Sequence, residues 1–317
     1  MIVGMHGMKI AGLLSGAMNR FKLSKAGSTL RLGLEVGTDR VAAVVIEPAT
    51  GRVVQDFFWP LDNLTPVADQ LHSHIQSASL QGACCQLVLT PEDYKLLLVE
   101  APRVEPDEMR DAVRWGIRDL VDVAVDDISL DVFPLPPDSS RSGQPMLYAA
   151  VCERQRLQVL IETIKAAGLQ LQTIDIGELA IRNLLQHEGY QDRSVAVARL
   201  EAGQGQLMLF RQGYLYLARR FDLAYGGGLF DELPDDQLAL EIQRSFDYYE
   251  RQMGQVPPAH LLLCGENLTP EKISQPLRSS LSADISCLAA AGTGGVVLQG
   301  AGLVAMGAAL RGIAVGS

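Results

Sequence analysis

The residues whose types and spacing could do chemistry gather at three turns. Glu35-Val36-Gly37-Thr38-Asp39-Arg40 sets a carboxylate two residues ahead of a glycine and a hydroxyl, at the end of an apolar run. Gly37 and Thr38 could offer a backbone N–H and a hydroxyl to a phosphate, and a carboxylate so placed could hold magnesium. A second turn carries Arg199, Glu201 and Gly203, and a third is Cys264-Gly265-Glu266. No GxxxxGK[ST] phosphate loop, GxSxG elbow or HExxH helix occurs in the chain. The histidines, His6, His72, His74, His187 and His260, are scattered, and His72 and His74 lack the i, i+4 spacing of a helical metal pair. Gly226-Gly227-Gly228 has no phosphate-loop context and reads as a hinge between strand and helix.

A chain of 317 residues, 48% hydrophobic and 20% charged, can bury two lobes. Its 27 Lys and Arg against 37 Asp and Glu give a charge of -10. That field repels phosphate backbones and argues against nonspecific nucleic-acid binding. Cys84, Cys85, Cys152, Cys264 and Cys287 show no zinc spacing and read as buried free thiols suited to a reducing cytoplasm. Lys9 followed by Ile10–Met18 resembles a short signal core without a cleavage site, so residues 1–28 are expected to be a flexible leader. Ile285–Leu310 contains no charged residue. Its glycines, Thr293 and Gln299 favour a turn leading into a buried helix, the closing helix of a second lobe, over a membrane span.

The elements that must position these turns follow from periodicity and punctuation. Arg31–Gly37, Arg40–Glu47 and Arg52–Trp59 predict a three-stranded meander, followed by a helix over 66–77 and a strand at Cys85–Thr90. Pro106–Val123 predicts a helix with Met109, Val113, Ile117, Leu120 and Val121 on one face. Ile128–Phe133 and Met146–Val151 read as a hairpin around a Pro/Ser/Gly loop. Glu153–Ala167 is a helix capped by Gly168, Leu169–Ile174 a strand, and Asp175–Gln186 a helix with Asp175 as its N-cap. The pattern then restarts: strands at Ser194–Leu200, Gln206–Phe210 and Tyr214–Phe221 with a turn at 201–205, helix Asp235–Met253 ended by Gly254, strand His260–Cys264, helix Pro270–Leu281, strand Asp284–Ala289 and helix Ala301–Arg311. Two lobes of the same order, 29–190 with an insert at about 91–150 and 191–317, describe an α/β actin-like ATPase (ASKHA) architecture. In that architecture the first hairpin turn of each lobe meets nucleotide phosphates.

Two longer stretches go further. APRVEPDEMRDAVRWGIRDLVDVAVDDISLDVFPLP, Ala101–Pro136, resembles the inserted subdomain of PilM-like type IV pilus assembly proteins, and ALEIQRSFDYYERQM, Ala239–Met253, resembles that family's long second-lobe helix. Leu32–Arg311 can be laid on the family pattern, and the likeness is greatest to members of the mannose-sensitive haemagglutinin (MSHA) pilus system. The resemblance implies a cytoplasmic scaffold held at the inner membrane by a PilN-like bitopic protein (MshJ in the MSHA system). The cytoplasmic tail of that partner would lie in a groove involving the insert, alongside other pilus platform proteins. Trp115, Ile117, Val121 and Ile128 fall in the matching region. Read from periodicity alone they are core of the insert. Self-association is left open, and no membrane span is expected. An active actin-like ATPase, a filament-forming relative and a GspL-like secretion component are the alternatives.

Against the motifs of this fold, D-x-G-S/T-x-x-x-K and D-x-G-x-x-x-T, the turns depart. Glu35 is one methylene longer than aspartate, while magnesium demands close octahedral placement. Asp39 is extra to the first motif. In the second lobe one register puts Arg199 and Glu201 where the aspartate and glycine belong. Another matches Glu201-Ala202-Gly203 with a shorter hairpin. Glu266 replaces the second glycine of the adenosine motif. The expectation is a pseudo-ATPase without catalytic residues or metal ligands. Its degenerate nucleotide site would comprise Glu35, Gly37, Thr38, Arg40, Glu201, Gly203 and Gly265. No cofactor is required, and ATP or ADP with magnesium is the ligand to which such turns are related.

Overall fold

A computed structural model describes residues 30–62 and 64–313; the expected leader, 1–28, lies outside them. The first meander forms as β1 (Arg31–Val36), β2 (Arg40–Ile46) and β3 (Val53–Pro60), crossed by α1 (Val67–Ser77) to β4 (Cys84–Leu89). A three-stranded antiparallel sheet is then inserted: β5 (Tyr94–Glu100), α2 (Met109–Gly116), β6 (Ile128–Pro134) and β7 (Met146–Glu153), in the order β5-β7-β6. The chain returns through α3 (Arg154–Ala166) to β8 (Gln170–Ile176) and α4 (Gly177–His187). The second half repeats the plan with β9 (Ser194–Glu201), β10 (Gln204–Arg211), β11 (Tyr214–Asp222), α5 (Asp235–Met253), β12 (His260–Gly265), α6 (Gln275–Ser280) and β13 (Asp284–Cys287). A short β14 (Ala290–Ala291) and β15 (Val297–Leu298) lead to α7 (Gly300–Ala309). The two main sheets have the orders β3-β2-β1-β4-β8 and β11-β10-β9-β12-β13. Each is antiparallel through its meander and parallel at β1–β4–β8 or β9–β12–β13.

Several sequence expectations need correction. The helix expected over Pro106–Val123 is only α2, eight residues long. Gly116 weakens a helix interior, and Asp119 and Asp122 would sit unfavourably at the negative end of its dipole. Pro270–Leu281 divides into a 3-10 turn at Pro270–Lys272 and α6. Pro276 belongs in a first turn, and Ser274 Oγ accepts the Leu277 N–H at 3.1 Å as the N-cap of α6. Asp175 is no N-cap: it ends β8 fully buried, where its carboxylate accepts the Ile176 N–H and pairs with Arg311. Burial pushes that carboxyl up, and Arg311 offsets part of the rise. Tyr94–Glu100 was not recognisable as a strand because its apolar run does not alternate.

The largest departure is at the end of the chain. The uncharged helix does not close the second lobe. α7 packs against β1 and β2 of the first sheet and against α4. It is buried all round, as a helix enclosed on every side must be. Two glycines make that approach possible. A Cβ on Gly33 in β1 would run into the Ala305 carbonyl, and one on Gly307 would run into the Ala180 carbonyl of α4. The ends of α7 are held as its dipole requires: Glu266 Oε1 accepts the Ala301 N–H at 3.2 Å, and Arg31 donates to the carbonyls of Ala309 and Arg311. Among the described residues no helix is long and apolar enough to cross a membrane.

Gly33→Ala and Gly307→Ala should each cost about 1–3 kcal/mol or more through backbone overlap. Gly302→Ala, on the same helix but facing only ordinary contact at 3.6 Å, should be neutral or stabilise by up to about 1 kcal/mol. Urea unfolding midpoints check all three.

Candidate functional site

The two hairpins that head β1 and β9 have the same construction. Gly37 N–H donates to Arg40 O at 2.9 Å, which closes a two-residue turn at Thr38-Asp39. In the second lobe Glu201 pairs with Gln204 around Ala202-Gly203, a tighter turn than the expected 201–205, with Gly203 at φ 81°. Glu35 lies opposite Val88 on the neighbouring parallel strand, and Arg199 lies opposite Cys264. The lobes therefore correspond with Arg199 at the position of Glu35. This decides between the two registers open in the sequence: Glu201 takes the glycine position, and the Glu201-Ala202-Gly203 alignment is set aside.

Arg199 is 3% exposed and sits between two carboxylates. Its Nη2 is 2.6 Å from Glu201 Oε1 and 3.4 Å from Glu35 Oε2, on the other lobe. Arg40 completes the set at 3.9 Å from Glu201 Oε1, and also lies 3.5 Å from Asp39. The charges alternate across the lobes: Glu35, Arg199, Glu201, Arg40. Burial pushes the Glu35 carboxyl up, with Arg199 opposing. Burial works against the Arg199 charge, but Glu35 and Glu201 outweigh it and hold the guanidinium above its ordinary value. Nε and Nη1 of Arg199 have no hydrogen-bond partner among the described residues. Buried charges survive only when paired in this way.

Above this cluster opens a cleft of ≈ 420 Å³. Glu35, Gly37, Thr38, Arg40 and Glu201 line it, with Asp39, Glu92, Gly226, Gly227 and Glu266. Gly203 and Gly265 flank it on β9–β10 and β12 without lining it. A Cβ on Gly265 would run into the Leu200 carbonyl, so this glycine serves strand packing. Glu266 is committed to the first turn of α7. Gly226–Gly228 is pinned by Asn267 Nδ2 to Gly227 O at 2.9 Å, Lys272 Nζ to Gly228 O at 2.7 Å and Gly228 N to Asp231 at 2.8 Å, more a fixed rim than a hinge. These residues do not fit a magnesium-bound phosphate. Five carboxylates line the cleft with Arg40, and the place where Glu35 and Glu201 would converge on a metal is taken by Arg199. Among the described residues no group of three or more His, Cys, Asp or Glu side chains is arranged to hold a metal ion.

The four residues named for partner contact have different surroundings. Ile117 and Ile128 are fully buried with Val113, Leu130, Leu147, Ala149 and Val151 between α2 and the inserted sheet, and Val121 is partly buried against them. Trp115 is 62% exposed on the outer side of α2. Because side chains alternate along β6, Ile128, Leu130 and Val132 turn to α2 while Ser129 and Asp131 turn to the first lobe. There they line a small cavity of ≈ 30 Å³ with Leu89, Tyr94, Ile174 and Asp175. Ser129 Oγ and Asp131 Oδ2 have no hydrogen-bond partner among the described residues, and burial pushes the Asp131 carboxyl up. Two polar residues alternating with apolar ones in ISLDVFP were the available sequence signal for this seam.

Neither a protein-family profile nor a curated protein matches this sequence. Solved structures do resemble it. The PilM component of a structure described as the PilM–PilN type IV pilus biogenesis complex superposes with a TM-score of 0.67 at 18% identity, over 90% of this chain and 98% of that one. The cytoplasmic domain of EpsL, an inner-membrane component of the type II secretion system of Vibrio cholerae, gives 0.53 at 13% identity, over 88% and 92%. A Bacteroides thetaiotaomicron protein with an actin-like ATPase fold and unknown function gives 0.52 at 9% identity, over 81% and 90%. With its duplicated sheets and matching hairpins, the chain has the actin-like ATPase fold.

Proposed function

We propose that the protein is a cytoplasmic scaffold of the inner-membrane assembly platform of a type IV pilus, of the MSHA kind. In this reading it is the MshI-like counterpart of PilM and holds the cytoplasmic tail of a PilN-like, MshJ-type bitopic membrane protein. It stands at the membrane through that partner, because a chain of charge -10 is repelled by anionic lipid. The observation that carries the reading is the seam between the first lobe and the insert, where Ser129 Oγ and Asp131 Oδ2 are buried without partners beside apolar walls. Unpaired buried acceptors are costly, and an extended tail that brings N–H or cationic donors to them relieves that cost. The resemblance of Ala101–Pro136 to the PilM insert, and the fold shared with PilM from the PilM–PilN complex, point to the same kind of partner. The cavity is narrow, so the tail must part the seam as it enters. The cleft between the lobes is read as a non-catalytic nucleotide-site remnant.

Calorimetry with a synthetic MshJ-type cytoplasmic tail should give saturable binding. Asp131→Asn combined with Ser129→Ala should weaken it about tenfold, the scale of one charge-assisted hydrogen bond. Trp115→Ala should leave stability within about 0.5 kcal/mol, so loss of the tail in that variant alone would move the contact to the outer face of α2. No binding to the wild-type chain overturns the scaffold reading.

With magnesium and ATP the wild-type chain should release no phosphate above a protein-free control. Steady release abolished by Glu35→Ala would establish the ATPase reading instead.

A further inference from the structure

We infer that Arg199 sets the ligand specificity of the interlobe cleft: its guanidinium is a resident cation that takes the place of a divalent metal between Glu35 and Glu201. The geometry is that of a cation shared by two carboxylates. A single nitrogen, Nη2, reaches Glu201 Oε1 at 2.6 Å and Glu35 Oε2 at 3.4 Å, one carboxylate from each lobe. The position is equivalent by strand pairing to Glu35 itself. The two lobes therefore present opposite charges at equivalent positions, a carboxylate in the first and a guanidinium in the second. A cation held that close to both ligands excludes a second one by like-charge repulsion in a site from which water is largely removed. With no metal to bridge them, the phosphates of a nucleotide would enter a cleft lined by the carboxylates of Asp39 and Glu92.

The replacement also ties the lobes together. Arg199 on β9 meets Glu35 on β1, and Arg40 on β2 meets Glu201 on β9. In an actin-like enzyme bound metal and nucleotide can cross-link the lobes, whereas here four side chains of alternating charge do so. The cleft can then stay closed whatever the nucleotide concentration, which suits a scaffold whose partner site lies elsewhere. This deepens the non-catalytic reading of the cleft and does not depend on capture of a membrane-protein tail.

The test uses the full chain and metal alone. Titration with Mn2+, followed by electron paramagnetic resonance, and thermal melts with and without magnesium should show no specific binding and no stabilisation of the wild type. Arg199→Ala should melt lower. It should also bind Mn2+ about tenfold or more tightly than wild type, because a like charge has left the two carboxylates, and magnesium should restore part of its melting temperature. Adding Glu35→Gln should remove the gained affinity. Arg199→Gln, which keeps more of the side-chain volume, serves if the alanine variant does not fold. Arg199→Lys, which keeps the charge, should remain blind to Mn2+. Tight Mn2+ binding by the wild type, or a folded Arg199→Ala or Arg199→Gln chain that gains none, overturns the inference. Tail capture can succeed or fail in either case, so the two proposals are separately decided.

Discussion

The structure depends on one close approach, the seating of α7 on β1. Side chains alternate along a strand, so Arg31, Gly33 and Glu35 share the face of β1 that meets the last helix and the cleft. Arg31 binds the carbonyls at the end of α7, Gly33 lets the helix backbone reach the strand, and Glu35 continues into the cleft to meet Arg199. Glu266 holds the first turn of the same helix. Three alternate residues of one strand thus fix where the chain returns from its second half to its first. The strand that receives α7 also carries the carboxylate that meets Arg199.

The cluster makes sense only in that setting. Glu35 and Arg199 are taken from water, and removing either leaves the other buried and unbalanced, whereas Glu201 and Arg40 keep partial contact with solvent. Their alternation across the lobes gives each charge an opposite neighbour. It also explains why Glu35, a poor magnesium ligand by length, is tolerated: its partner is a long, planar cation whose reach suits the extra methylene. Glu266 illustrates the same economy. At the position of a missing nucleotide-motif glycine it gives a helix N-terminus the anion that such ends favour.

The insert shows how one strand can serve two purposes. The even positions of β6 close a small core with α2 and β7, and the odd positions present polar atoms to the first lobe. Ile117 and Ile128, placed by the resemblance in the partner region, are core, as their apolar periodicity implies. Ser129 and Asp131 show in sequence only as the polar half of an alternating strand, and their unpaired burial is decided by packing against the first lobe.

Much of this molecule was legible in the sequence. The meanders, the crossover helices α1, α3 and α5, the end of α5 at Gly254, whose φ is 68°, and the duplication follow from periodicity and turn chemistry, which are local. The candidate hairpins were legible for the same reason, since glycine between two apolar runs of strand length, as at Gly37 and Gly203, marks a turn. The lobe on which α7 lies was not, because an all-apolar helix carries no directional stripe and the glycines that admit it are 274 residues apart, from Gly33 to Gly307. Nor was the partner of Arg199: a guanidinium in a metal-ligand position reads as a defect until the fold brings Glu35, from the opposite lobe, to within 3.4 Å of it. Sequence fixes what a residue can do within its own strand or turn. Which charge it meets is decided by packing between elements that the chain joins only once it is folded.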